Sequence, residues 1–159
     1  MHVFPDASQI GLISDTHGLL RPEALDALRG SHLILHAGDV GDPVILATLR
    51  NIAPVVAIRG NVDTEPWADA LPVTELVTAT GVNIYMLHNR ESLDLVPEAA
   101  GVNIVLSGHS HKPGQEWRRE VLYINPGSAG SRRFNLPITV ARLDLKAKPL
   151  RAEIVSLEN

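Results

Sequence analysis

The sequence predicts an α/β fold of two packed mixed β-sheets flanked by helices. Strand-like apolar runs alternate with short helix-like stretches up to Asp63, which argues for a parallel sheet built from crossover units. Beyond Asp63 the chain pairs its apolar runs as hairpins. Together the two halves hold more strands than one open sheet accommodates comfortably.

The elements follow in order. Ser8 to Ile13 reads as a strand ending in Ser14-Asp15-Thr16-His17-Gly18. Pro22 opens a helix over Glu23 to Arg29, with Leu25 and Leu28 on one face and Gly30 as its stop. His32 to His36 is a second strand, followed by Ala37-Gly38-Asp39-Val40-Gly41-Asp42. Asp42 caps a helix over Val44 to Asn51, and Pro54 to Ile58 forms a third strand before Arg59-Gly60-Asn61-Val62-Asp63. Pro72–Thr78 and Val82–His88 form a hairpin around Ala79-Thr80-Gly81. A short helix is expected over Leu93 to Ala100, then a buried strand, Asn103 to Leu106, that leads to Ser107-Gly108-His109-Ser110-His111-Lys112. Gln115–Arg118 and Val121–Ile124 make another hairpin, turning at Arg119-Glu120. Ile138–Leu145 and Leu150–Leu157 form the terminal pair.

Composition limits the function. At 159 residues, with 45% apolar and 20% charged residues, the chain fits one globular domain, 1–159, with a proper core. A net charge of -4 argues against a dedicated nucleic-acid surface, which is normally basic. No run is apolar enough to span a bilayer, and the first residues lack signal-peptide character, so a cytoplasmic location is expected. The absence of cysteine rules out disulfides and thiolate metal sites. Any metal must be held by oxygen and imidazole nitrogen.

Such donors gather where the strands end, which is where open α/β sheets build their sites. The first strand delivers Asp15 and His17, the second Asp39, the third Asn61, the hairpin His88, and the next strand His109 and His111. Any one of these could be a helix cap, a turn or a surface histidine. Their recurrence at successive strand ends points to a metal site. Two carboxylates, one amide and four imidazoles exceed the three protein ligands usual for one catalytic ion. They suit two ions sharing a bridging carboxylate, an arrangement that activates water and clamps both oxygens of a phosphoryl displacement. The chemistry indicated is hydrolysis of a phosphate ester.

The series Ser14-Asp15-Thr16-His17-Gly18, Gly38-Asp39-Val40, Gly60-Asn61-Val62-Asp63, His88, Gly108-His109-Ser110-His111 and Asn125-Pro126-Gly127-Ser128 resembles the calcineurin-like metallophosphoesterases. The likeness is to their small single-domain, YfcE-like phosphodiesterase branch and runs from about residue 8 to 145. It implies a sandwich of two sheets between helices with a dinuclear centre at the strand ends. Asp15, His17 and His111 would then hold one ion, Asn61, His88 and His109 the other, and Asp39 would bridge them. Asp39, Asn61 and His109 would be the catalytic positions, with a metal-bridging hydroxide as nucleophile. Mn is the first expectation for the two divalent ions, with Ni, Fe and Zn open. The substrate would be a small-molecule phosphate ester.

Two positions depart from the family pattern. Many members carry a proton-donating histidine after the Gly-Asn pair, where this chain has Val62, so poor leaving groups should react slowly. Members also often follow the hairpin histidine with glycine, whereas Asn89-Arg90 follows His88. Arg59 and Arg90, each within two residues of an expected ligand, are candidates for binding phosphate oxygens bidentately. Asp63 could orient ligands from behind. His36, inside an apolar strand, reads as a buried structural residue, Arg132 and Arg133 as surface or oligomer contacts, and Trp67 and Trp117 mainly as packing. Exposed hairpin edges leave a homo-oligomer open.

The alternatives are a non-catalytic metal-binding interaction scaffold of the same fold, as a retromer subunit resembles, or a nuclease of the same superfamily. Loss of catalysis should show as substituted ligands, yet every expected ligand position holds a competent donor.

Overall fold

The computed structural model describes residues 2–158. Strands β1 (His2–Phe4) and β2 (Gln9–Ile13) precede helix α1 (Pro22–Leu28), β3 (Leu33–His36), helix α2 (Pro43–Leu49) and β4 (Val55–Ala57). The hairpin β5 (Thr74–Ala79) and β6 (Val82–Leu87) follows, then β7 (Ile104–Leu106), β8 (Gly114–Arg118), β9 (Val121–Asn125), β10 (Thr139–Asp144) and β11 (Ala152–Ser156). Short 3-10 turns cover Pro66–Ala70 and Arg90–Ser92.

Two mixed sheets result, as the sequence predicts. One has the order β1-β5-β6-β7-β9-β8 and the other β11-β10-β2-β3-β4. The crossover units make β2, β3 and β4 parallel, with Ile10 against Leu33 and Ile34 against Val55. In the larger sheet β6, β7 and β9 are parallel in their turn. Each sheet therefore points several strand ends in one direction.

Alternate residues along these strands face different layers, the period-two consequence of the pleat. Ile10, Leu12, Leu33 and Leu35 meet Val77, Ile84, Met86, Ile104, Leu106 and Leu122 in the core between the sheets. Ile13, Ile34 and Val140 pack outward under Ala24 and Leu28 of α1 and Ile45, Leu46 and Leu49 of α2. Both helices start at proline, where the missing N–H costs nothing, and Asp42 caps α2 by accepting the Val44 N–H at 2.9 Å. At the far side the Gln115 amide pairs with both the N–H and the carbonyl of Ala152, at 2.8 Å each, and so ties edge strand β8 to β11 of the other sheet.

Two expectations need correction. Leu93 to Ala100 is not a helix. Pro97 has no N–H to give and its ring clashes with a helical carbonyl at Leu93, so the segment becomes a turn closed by Val102 N–H to Pro97 C=O at 2.9 Å. The outer face of the larger sheet is thus covered by an irregular segment, with Leu93 against Leu87, Val105 and Tyr123. Strand β1 was not expected; three residues are too few for a periodic signal, and pairing with Val77, Thr78 and Ala79 of β5 creates it.

Candidate metal centre

The carboxyl ends of β2, β3, β4, β6 and β7 converge between the sheets. Loop hydrogen bonds continue the strand pairing past the strands themselves: Asp15 N to Gly38 O at 3.0 Å, His17 N to Asp39 O at 2.9 Å and Gly108 N to His88 O at 2.9 Å. Asp15, His17, Asp39, His109 and His111 all have positive φ, between 47° and 69°. Non-glycine residues there carry of order 1–3 kcal/mol of strain each, a conformation kept only where the surroundings over-determine it. The turn re-aims each side chain into one space.

Two groups of donors form. Asp15, His17 and His111 bring their ligand atoms within 4.8 Å of one another, as do Asp15, Asp39 and His88. Asp15 Oδ1 lies 3.4 Å from His111 Nε2, 3.6 Å from His17 Nε2 and 3.7 Å from His88 Nε2. Its partner oxygen, Oδ2, accepts from the Ser14 hydroxyl at 2.7 Å and the His109 N–H at 3.1 Å, which fixes the carboxylate. Asp39 Oδ2 is 3.0 Å from His88 Nε2 and 3.7 Å from His17 Nε2, so it faces members of both groups. Asn61 and His109 join the edge through Oδ1 and Nδ1, 3.3 Å apart.

The donor set fits cations. The His88 Nδ1–H donates to the Ala37 carbonyl at 2.7 Å, which turns Nε2 toward Asp39 Oδ2, 3.0 Å away. Nitrogen and carboxylate at that distance share a positive centre, a proton or a metal ion. His17 and His111 also bring their Nε2 atoms together, 3.2 Å apart. Asp15 Oδ1, His88 Nε2 and His111 Nδ1 are buried with no hydrogen-bond partner among the described residues, a costly condition for a carboxylate without a counter-charge.

Electrostatics agree. Burial alone would lower the pKa of His88, but the carboxylates of Asp39 and Asp15 and the Ala37 carbonyl outweigh it and hold it above the ordinary value. Asp39 is affected oppositely. Burial raises its pKa, and His88, the Val62 N–H and His17 together bring it below the usual carboxylate range. His111 is lowered, by burial first, then by His17 and Arg133 against the pull of Asp15. Protons and metal ions compete for these nitrogens.

Behind the ligands, Asp63 Oδ2 accepts the N–H groups of Gly60 at 2.9 Å and Val40 at 3.1 Å, while Oδ1 accepts Gly41 at 3.0 Å. The backbones press together so closely at Gly60 that a Cβ there would lie 2.1 Å from Asp39 Oδ1. At Gly108 it would lie 2.5 Å from Asp15 Oδ2. His36 is fully buried and serves structure. Gly38 N–H donates to its Nδ1 at 3.1 Å, Nε2–H faces the Thr16 hydroxyl at 3.0 Å, and that hydroxyl donates to the Val40 carbonyl at 2.8 Å.

A cavity of about 770 Å³ opens beside His109, lined by Arg90, Ser110, Lys112, Glu116, Tyr123 and Asn125 among others. Arg90 lies over the Tyr123 ring, 4.3 Å from its centre, and its Nη2 donates to Glu116 at 2.5 Å. Arg59 is not on this wall; its guanidinium is 3.6 Å from Asp69. Trp67 packs beneath the helices, and Trp117 is 48% exposed on β8. Sequence reasoning passed over Lys112 and Tyr123, and read Arg133, whose charge acts on His111, as a surface or oligomer contact. Nothing in their spacing signals that β7, β9 and the loop after Gly130 share one end of the fold.

A two-sheet sandwich that presents carboxylate, amide and imidazole donors from aligned strand ends defines the class: an α/β domain with side-chain groups able to hold metal ions. The chain belongs to the calcineurin-like phosphoesterase superfamily, whose domain model matches residues 9–148. It is 35% identical over 158 residues to a probable metallophosphoesterase of Methanocaldococcus jannaschii, covering 94% of this chain and 81% of that one. It is 26% identical to the phosphodiesterase YfcE of Escherichia coli, over 82% of this chain and 84% of that protein. The fold is also that of Vps29 from Chaetomium thermophilum, with a TM-score of 0.75, 19% identity and coverage of 94% and 96%. No helix among the described residues is long and apolar enough to cross a membrane.

Proposed function

We propose that this protein is a divalent-metal-dependent phosphodiesterase that hydrolyses a small phosphate ester at a dinuclear centre. Asp15, His17 and His111 would hold one ion, Asn61, His88 and His109 the other, and Asp39, which faces members of both groups, would be shared. The observation that carries this reading is the convergence of ligand atoms: those of Asp15, His17 and His111 lie within 4.8 Å of one another, as do those of Asp15, Asp39 and His88, around a buried Asp15 Oδ1 that has no hydrogen-bond partner among the described residues. Bound divalent ions at such a centre acidify a water and draw charge from phosphoryl oxygens. Mn is the first choice on donor chemistry, with Ni, Fe and Zn next.

The chain's own groups set the rest. Asp15 is held by Ser14 and the His109 N–H, and Asp39 by the Val62 N–H at 3.0 Å, so neither carboxylate must reorganise to engage a ligand. His88 is locked in the Nδ1–H tautomer by Ala37. Asn61 and His109 form the edge nearest the large cavity and are the side chains placed to meet a phosphoryl group there. Arg90 stands on the same side; Arg59, turned to Asp69, reaches phosphate only by leaving that partner. Val62 has no proton to give a departing alkoxide.

The test is to strip and restore divalent metal and assay bis(4-nitrophenyl) phosphate beside 4-nitrophenyl phosphate. Metal-dependent turnover, higher for the diester and lost in Asp39→Ala and His109→Ala, is expected. Stoichiometric metal uptake without turnover of either ester would favour the scaffold reading.

A further inference from the structure

The cavity beside His109 is far larger than a phosphoryl group, at about 770 Å³, and lies within the size range of small-molecule sites. Gly108 and His109 belong to its wall, and His109 also meets Asn61 at 3.3 Å, so it is continuous with the metal centre. What it accepts follows from which lining groups remain uncommitted.

Asn125 is spent. Its Nδ2 donates to the Gly108 carbonyl at 3.0 Å and to Ser110 Oγ at 3.1 Å, and its Oδ1 accepts from Gly127. Gln115 is occupied by Ala152, and Glu116 by Arg90. Ser110 Oγ accepts twice, from Asn125 and from the Lys112 N–H at 3.2 Å, which leaves its own proton to give. Asn89 Oδ1 accepts from the Glu91 N–H at 3.0 Å, which leaves its amide N–H groups. No carboxylate pairs with Lys112 among the described residues. Of the lining carboxylates, Glu91 has no cation paired with it among the described residues, and it is exposed. The cavity wall therefore offers hydrogen-bond donors from Ser110 and Asn89 and, exposed like Ser110 and Glu91, the unpaired cation of Lys112.

We propose that this cavity receives the second arm of the phosphodiester and selects an arm bearing its own anionic, acceptor-rich group, a carboxylate or a further phosphate, through Lys112, Ser110 and Asn89. The proposal rests on the phosphodiesterase reading and names its substrate class. A diester with a neutral arm fills it without satisfying the donors.

The experiment compares two chromogenic esters that differ by one charge, 4-nitrophenyl phenyl phosphate and 4-nitrophenyl 4-carboxyphenyl phosphate, on the metal-loaded protein. The carboxylated ester should show a kcat/KM about tenfold higher, mainly through KM, the size expected of one charge-assisted hydrogen bond. Lys112→Met should cut its kcat/KM about tenfold more than that of the phenyl ester, with Lys112→Arg restoring part of the difference. Calorimetric binding of 4-carboxyphenyl phosphate against phenyl phosphate provides a readout without turnover. Equal handling of the two esters by the wild type, or an equal loss in Lys112→Met, overturns the proposal. No turnover of either ester overturns the phosphodiesterase reading; equal affinity for the two monoesters in calorimetry then overturns the cavity assignment as well.

Discussion

The Asp63 carboxylate accepts the N–H of Gly60 at 2.9 Å and, through the same oxygen, that of Val40 at 3.1 Å. One side chain thereby joins the loop that carries Asp39 to the loop that carries Asn61. Partners of this kind typically change metal affinity by about 10–100-fold when removed. Asp63→Ala should therefore lower affinity for divalent metal by that amount while the secondary structure stays intact. Calorimetric titration with Mn checks it, and unchanged affinity would mean that the loops are positioned without Asp63.

Gly60 permits the closest backbone approach in the centre. A methyl group there would stand 2.2 Å from the Asp39 nitrogen, a backbone atom that cannot swing aside. Gly60→Ala should cost about 3 kcal/mol, at the upper end of overpacking penalties, and impair metal uptake. Gly114→Ala, which meets nothing within 4 Å, should change stability by about 0.5 kcal/mol or less. Urea denaturation of the two variants makes the comparison.

His36 gives the fold a pH dependence. Burial pushes its pKa down to about 4 from 6.5, against the opposing pull of Asp15, Asp63 and Asp39. The unfolded chain takes up the proton more readily, so this contribution is fully present above pH 6.5 and is lost as pH falls toward 4. The full loss is about 3 kcal/mol. NMR should find the His36 imidazole neutral at pH 5. A charged ring at that pH would contradict the chain of hydrogen bonds from Gly38 through His36 and Thr16 to Val40.

Much of this was legible in the sequence, for physical reasons that differ by element. Runs such as Leu33 to His36 are buried on both sides and end at Gly-Asp, so strand and ligand loop announce themselves together. The Leu93 to Ala100 stretch has the right apolar content for a helix, but Pro97 overrides it. The positive φ at Asp15, His17, Asp39, His109 and His111 has no local signature. It is imposed by hydrogen bonds between loops far apart in sequence, such as His17 N to Asp39 O. The wall of the cavity was hidden for the same reason, since Arg90 meets Glu116 and Tyr123 only after β6, β9 and β8 assemble.

Val62 is 45% exposed and follows Asn61 at the mouth of the centre. Without a proton donor at that position the reaction rate should fall steeply as the leaving-group pKa rises across a series of aryl and alkyl diesters. Val62→His should flatten that slope, and the exposed position should accept the change with little loss of stability. A wild-type rate independent of leaving-group pKa would show that another group supplies the proton.

The number of divalent ions bound per chain tests the central claim most directly. The apoprotein, titrated with Mn and examined by native mass spectrometry, should take up two ions per chain, and His111→Ala and His88→Ala should each retain one. A wild-type chain that saturates at a single ion, or binds none, would contradict the dinuclear centre.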